Sequence, residues 1–164
     1  MRVAIRDSSL GLVLVAQSAN GICAVLLGDD REALRLDLQK RFPSTTPRES
    51  DTTLDLLATQ VVQLIESPAR GLDAPLDMRG SGFQRDVWRA LRDIPSGSTA
   101  TYTDIANRIG HPTSVRAVAQ ACAANPLAVV VPCHRVLRRD GQLSGYRWGV
   151  ERKRELLARE ATSA

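Results

Sequence analysis

The stretch TYTDIANRIGHPTSVRAVAQACAAN, residues 101–125, decides the fold of the half of the chain that carries its chemistry. Thr101 and Asp104 have the spacing of a reciprocal N-terminal cap, and Ile105, Ala106 and Ile109 follow at helical intervals, so a short helix starts there. Gly110-His111-Pro112 breaks it, and Thr113 caps a second helix to about Ala124. Two short helices around a glycine-containing turn read as a helix-turn-helix. On the second, Val115, Val118, Ala119 and Cys122 share a face that should be buried, which makes Cys122 a core residue. The other face carries Arg116, Ala117, Gln120, Ala121 and Ala124. A row of alanines with one arginine suits a helix that lies close in a groove better than a broad electrostatic grip. Arg116 is then either an inserted group or a solvated charge, and Tyr102 a core aromatic with its hydroxyl exposed. Asn125-Pro126 ends the helix.

Downstream stands Val129-Val130-Val131-Pro132-Cys133-His134-Arg135-Val136. The β-branched run reads as a short buried strand or extended segment, which Pro132 ends because it has no N–H to donate. Cys133 is held at its mouth beside His134 and Arg135, either of which could lower a thiol pKa. In an extended segment neighbouring side chains point to opposite faces, so His134 would reach Cys133 only through a water or a kink. The alternative is an inert buried cysteine.

Arg138-Arg139-Asp140-Gly141 is a turn, and Ser144-Gly145-Tyr146-Arg147-Trp148-Gly149 is a glycine-flanked loop. A last helix covers about Val150 to Ala161, where Lys153, Leu156, Leu157 and Glu160 share helical spacing. Glu160 thus lies along an apolar face, and a carboxylate there needs a partner: His134 or an arginine. Upstream, Phe83, Val87, Trp88 and Leu91 form an amphipathic helix that ends before Pro95. In the first half, Arg2–Ile5, Leu10–Ala16 and Ile22–Leu27 are β-rich runs, and Asn20-Gly21 is a hairpin signal, so three antiparallel strands are expected. Helices follow over Arg31–Phe42 and Thr53–Glu66, and Pro68–Pro75 connects the halves. The fold class is α+β, with an α/β support domain at 1–75 and a mainly helical domain at 76–164. Cys23 falls in a strand and reads as core.

The charge is uneven. Residues 1–75 hold 8 Lys+Arg against 10 Asp+Glu, net −2, while residues 76–164 hold 14 against 8, net +6. A basic second half suits a polyphosphate partner. No apolar run reaches membrane-spanning length and no signal pattern opens the chain. Three scattered cysteines fit a reducing compartment, so the cytoplasm is expected. Two histidines and no paired cysteine spacing exclude a recognisable zinc site, and no metal is expected.

Asn125-Pro126, Pro132-Cys133-His134-Arg135-Val136 and Ser144-Gly145-Tyr146 together resemble the active-site region of the O6-alkylguanine-DNA alkyltransferases. Gly82-Phe83-Gln84, Val87-Trp88-Arg89-Ala90-Leu91 and Ile94-Pro95 extend the match, which is dense over residues 76–162, thin before, and strongest to the family's bacterial adaptive-response branch. The resemblance implies a ribonuclease-H-like first domain and a winged helix-turn-helix second domain. It implies a monomer that binds double-stranded DNA through the minor groove, rotates out an O6-alkylguanine, and takes the alkyl group onto Cys133 once, without a cofactor; O4-methylthymine is an open extension. It assigns a relay Glu160–His134–water–Cys133, Tyr102 as proton donor to the base, and Asn125 as hinge. Arg116 fills the space of the rotated base, with Ala117, Gln120 and Ala121 along the groove. Val136, Tyr146, Arg147, Trp148 and Lys153 surround the base. A non-catalytic sensor of alkylated DNA and a cysteine hydrolase are the rivals. The adaptive-response branch carries an upstream zinc-binding regulatory segment that has no counterpart in this sequence, so transcriptional activation is not expected unless the sequence is a piece of a longer chain.

Overall fold

A computed structural model describes residues 1–143 and 145–163. Among these the fold is mixed α+β, with a four-stranded sheet, a two-stranded pairing and six α-helices. By its contacts the chain forms two units, Met1–Met78 with Pro126–Val130, and Arg79–Asn125 with Val131–Ala164. Residues 126–130, which the sequence reading placed in the second domain, therefore pack with the first.

In the first unit β1 (Arg2–Ser8), β2 (Gly11–Ser18) and β3 (Gly21–Gly28) form an antiparallel meander. The expected three strands are present, and a fourth, β4 (Arg48–Glu49), adds in parallel beside β1. Two residues of strand with no alternation leave no periodic signal, which is why the fourth strand escaped the sequence. The order is β3-β2-β1-β4. Gly21–Leu27 are buried throughout, each large aliphatic side chain contributing about 1.5–3 kcal/mol. The helices α1 (Arg31–Arg41) and α2 (Thr52–Glu66) pack on the sheet through Leu34, Leu38, Leu54, Val61 and Ile65. Asp30 and Asp51 cap them, accepting from Ala33 N (2.8 Å) and Leu54 N (2.9 Å). The open edge of β3 is covered by two pieces of chain. Ile22 N donates to Pro75 O (3.0 Å), and Val25 N to Pro126 O (2.8 Å) while Val25 O accepts from Ala128 N (2.9 Å).

Leu127–Val130 is not a regular strand. Val129 has φ 67°, and Val130 N donates to Ala128 O at 2.7 Å across it, a γ-turn of the rarer hand. A β-branched residue there costs about 1–3 kcal/mol and holds only because its surroundings over-determine it.

In the second unit α3 (Gly82–Arg92) begins with a reciprocal cap between Ser81 and Gln84 and buries Val87, Trp88 and Leu91. The strand β5 (Ala100–Thr101) leads into α4 (Tyr102–Arg108), whose Thr101/Asp104 cap forms as expected. It ends at Gly110 (φ 80°), with His111 N donating to Ala106 O (2.9 Å) and Gly110 N to Asn107 O (3.1 Å), the double bond pattern of a glycine-terminated helix. The next helix, α5, covers Val115–Ala123; Ser114, not Thr113, precedes it, and makes no side-chain cap bond. Then come β6 (Val136–Leu137), paired in parallel with β5, and α6 (Val150–Ser163). No helix among the described residues is long and apolar enough to cross a membrane.

Candidate functional site

The reactive segment departs from the expected extended form. Pro132 (φ −81°, ψ 63°) is the centre of an inverse γ-turn, with Cys133 N donating to Val131 O at 2.8 Å. Cys133–Arg135 then form one 3-10 turn. This is the kink that the sequence left open, and it puts His134 and Arg135 on the same carboxylate. His134 Nε2 lies 2.6 Å from Glu160 Oε1. Arg135 Nε donates to both Glu160 oxygens at 3.0 Å, and another guanidinium nitrogen donates to Ile94 O at 2.6 Å. Both partners weighed for Glu160 are therefore present at once. All three side chains are buried, Glu160 being 1% exposed.

Burial raises the Glu160 carboxyl, but its bonds to His134 and Arg135 outweigh that and hold it below the usual carboxylate range. Burial also keeps His134 below its ordinary value, despite the opposing pull of Glu160, so the ring is neutral. Its Nε2–H then donates to Glu160, and Nδ1, buried with no protein partner among the described residues, is left as an acceptor.

Cys133, 5% exposed, faces a cleft of about 450 Å³ lined by Tyr102, Ala119, Cys122, Ala123, Gly145, Tyr146 and Arg147. Burial pushes its thiol up to about 11, partly offset by Asn125 and Lys153. Asn125 is fully buried; its Nδ2 donates to Val131 O (3.0 Å) and to Cys133 Sγ (3.3 Å), so one side chain ties the end of α5 to both residues that flank Pro132. Lys153, also fully buried, donates to Val136 O at 2.7 Å. A carbonyl has two lone pairs, so Val136 keeps one acceptor position. Tyr146 stands between His134 and Trp148, with ring centroids 6.5 and 5.3 Å away. Trp148 is buried, and Arg147 lies over its ring at 5.9 Å. Ser144 lies outside the described residues.

On α5, Arg116 and Gln120 are exposed and Ala117 is half-buried. Ala121 corrects the sequence reading: it is 2% exposed, and its carbonyl accepts from Trp88 Nε1 at 2.9 Å. A carbonyl in the last helical turn needs an outside donor, and α3 supplies one, which rotates the buried face to Val118, Ala121 and Cys122. Cys122 is buried as expected but also walls the cleft with Ala119 and Ala123, a set at i, i+3 and i+4 spacing that could have been read from the sequence. Arg135, which the sequence offered as a group that could lower the Cys133 thiol, is instead a partner of Glu160. A groove of about 560 Å³ in the first unit, lined by residues of β1, α1 and β4, contains no cysteine or histidine.

The description "6-O-methylguanine DNA methyltransferase, DNA binding domain" belongs to the family that matches residues 82–162. The bifunctional transcriptional activator/DNA repair enzyme Ada of Escherichia coli is 52% identical over 161 residues, 98% of this chain and 46% of that protein. The inducible methylated-DNA–protein-cysteine methyltransferase of Bacillus subtilis is 44% identical over 73% of this chain and 66% of its own length. The chain thus spans about half to two thirds of these curated relatives. Among solved structures, Mycobacterium tuberculosis OGT in complex with DNA superposes with a TM-score of 0.81 at 32% identity, over 100% of this chain and 95% of that one. Matched over residues 82–162 by the family's DNA-binding domain and alike along its full length to a solved OGT, the chain belongs to the 6-O-methylguanine DNA methyltransferase family.

Proposed function

We propose that this chain reverses O6-alkylguanine damage in DNA directly, by one transfer of the alkyl group to Cys133. The observation that carries the reading is the stack behind the sulfur: Cys133 faces an open cleft, and His134, one residue on, is held by a carboxylate itself held by Arg135. The cleft is within the size range of small-ligand sites, and a base flipped out of a duplex is such a ligand. The domain with net charge +6 supplies the general attraction to phosphate, and α5, with exposed Arg116 and Gln120 and half-buried Ala117, enters the minor groove. The first unit, Met1–Met78 with Pro126–Val130, is a ribonuclease-H-like support, and the second is a winged helix-turn-helix; the chain acts as a monomer.

The thiol is protonated at rest, because burial raises it. With a base in the cleft, its proton passes through a water to His134 Nδ1, and Glu160 stabilises the resulting imidazolium. Sulfur attacks the alkyl carbon, the carbon–O6 bond breaks, and the electron pair leaves with guanine, to which Tyr102 gives a proton. Asn125 Nδ2, which already donates to the sulfur, favours its anionic form. The product is a thioether that no neighbouring group can cleave, so each molecule acts once and no cofactor takes part. Incubation with O6-methylguanine duplex followed by intact mass should show one added methyl, mapped to Cys133 and absent in Cys133→Ser. Tight binding with no mass gain would make the protein a sensor, and many turnovers per molecule would make it a hydrolase.

A further inference from the structure

Cys122 walls the cleft, yet alkyl transfer gives it nothing to do. It sits in the last turn of α5, buried, and opens onto the same cleft as Cys133. Asn125 connects the two: its backbone N–H donates to Cys122 O (3.3 Å) and its Nδ2 to Cys133 Sγ (3.3 Å). Burial raises both thiols, Cys133 raises that of Cys122 further, and Lys153 opposes the rise in both. Both are free thiols. The third cysteine, Cys23, is sealed in β3, its Sγ donating to Ala16 O at 3.5 Å.

We propose that Cys122 is a resolving thiol: when a hydroperoxide oxidises Cys133, Cys122 condenses with it to a Cys122–Cys133 disulfide that thiols can reverse. This rests on Cys133 being the reactive thiol. In the first step Cys133 sulfur attacks a peroxide oxygen, the O–O bond breaks, and the departing oxygen takes the thiol proton, leaving a sulfenic acid and water. In the second, Cys122 sulfur attacks Cys133 sulfur, an S–S bond forms, and the hydroxyl leaves with the Cys122 proton as water. The two thiols lose two electrons and the hydroperoxide gains them. A nucleophile that serves once has no spare, and oxidation past sulfenic acid is irreversible. A second thiol on the same wall diverts that loss into a reducible bond.

The test treats the reduced full chain with hydrogen peroxide without DNA, blocks free thiols, and reads intact mass, linked peptides, and methyl acceptance before oxidation and after dithiothreitol. The parent protein should lose two hydrogens, yield a peptide pair joined through Cys122 and Cys133, and recover methyl acceptance on reduction. In Cys122→Ala, and in Cys122→Ser should the alanine variant fold poorly, Cys133 should gain two oxygens as sulfinic acid, and recovery should fall about fivefold or more. Cys23→Ala should behave as the parent. Equal sulfinic acid in parent and Cys122 variants, with no linked peptide, overturns the proposal. If unoxidised parent protein accepts no methyl group, the underlying reading of Cys133 fails instead.

Discussion

A sulfur that must become anionic is held where anions are disfavoured. With its thiol pushed up to about 11, Cys133 is ionised in about one molecule in ten thousand at pH 7. Its reaction with iodoacetamide should therefore be slow at neutral pH and rise about tenfold per pH unit between roughly 7.5 and 9.5. Asn125→Ala, which removes a side-chain donor to the sulfur, should lower the rate at every pH; an unchanged rate would mean that the bond does not favour the thiolate. Behind the sulfur, the Glu160 carboxylate accepts from Arg135 and His134 together. Glu160→Gln leaves Arg135 a buried, unpaired cation and should cost about 3–5 kcal/mol in urea unfolding. His134→Gln keeps the Arg135–Glu160 pair and should cost less, about 1–3 kcal/mol. The reverse order would show that the histidine, not the arginine, anchors the carboxylate. Helical spacing placed the Glu160 carboxylate on an apolar face, where a charge demands a partner, but the choice of His134 and the reactivity of Cys133 came only with the family resemblance, since the residues alone left an inert buried cysteine open. Arg135 was harder to read, since its neighbour His134 could satisfy the same demand until the backbone at 133–135 was known to turn.

Helix ends were legible where capping signals marked them. Thr101/Asp104 and Gly110 marked both ends of α4, and each forms the bonds its residue type allows. The start of α5 carries no cap bond, and its cap position falls at Ser114 rather than at the expected Thr113. Val129-Val130-Val131 misled for a different reason: β-branched residues favour extended backbone, and Val129 adopts φ 67° instead, because the chain must leave the edge of β3 and reverse toward Pro132. Tertiary demand overrode local preference there, as it does at strained functional segments. Glycines at element ends give a test of the same logic. At Gly21 (φ +144°) a Cβ would lie 2.5 Å from Pro75 O, so Gly21→Ala should destabilise by about 2–4 kcal/mol. Gly82, at the first position of α3, has open space around it, and Gly82→Ala should be neutral or stabilise by about 0.5–1 kcal/mol. Chemical denaturation of the two variants side by side reads both.

At the scale of the whole chain, the stability should carry the acid signature of its buried site. His134 is held below 6.5 chiefly by burial, so under about pH 6.5 the unfolded chain binds a proton that the folded one refuses. Glu160 is held below 4.5, burial raising it but its bonds to His134 and Arg135 prevailing, so under about pH 4.5 the same inequality repeats at the carboxylate. Both groups act with one sign. Their stabilisation is complete above the unfolded-state values and is lost as pH falls through the folded ones, each unit of depression being worth about 1.4 kcal/mol. The melting temperature should thus be level from about pH 8 to 7, begin to decline below about 6.5, and decline more steeply below about 4.5. His134→Gln should flatten the first decline and shrink the second, because Arg135 alone then holds the Glu160 carboxylate down. A melting temperature that instead rose between pH 7 and 5.5 would mean that the folded protein takes up the proton. His134 would then rest as an imidazolium paired with Glu160, with no free Nδ1 lone pair, and it could not receive the proton of Cys133.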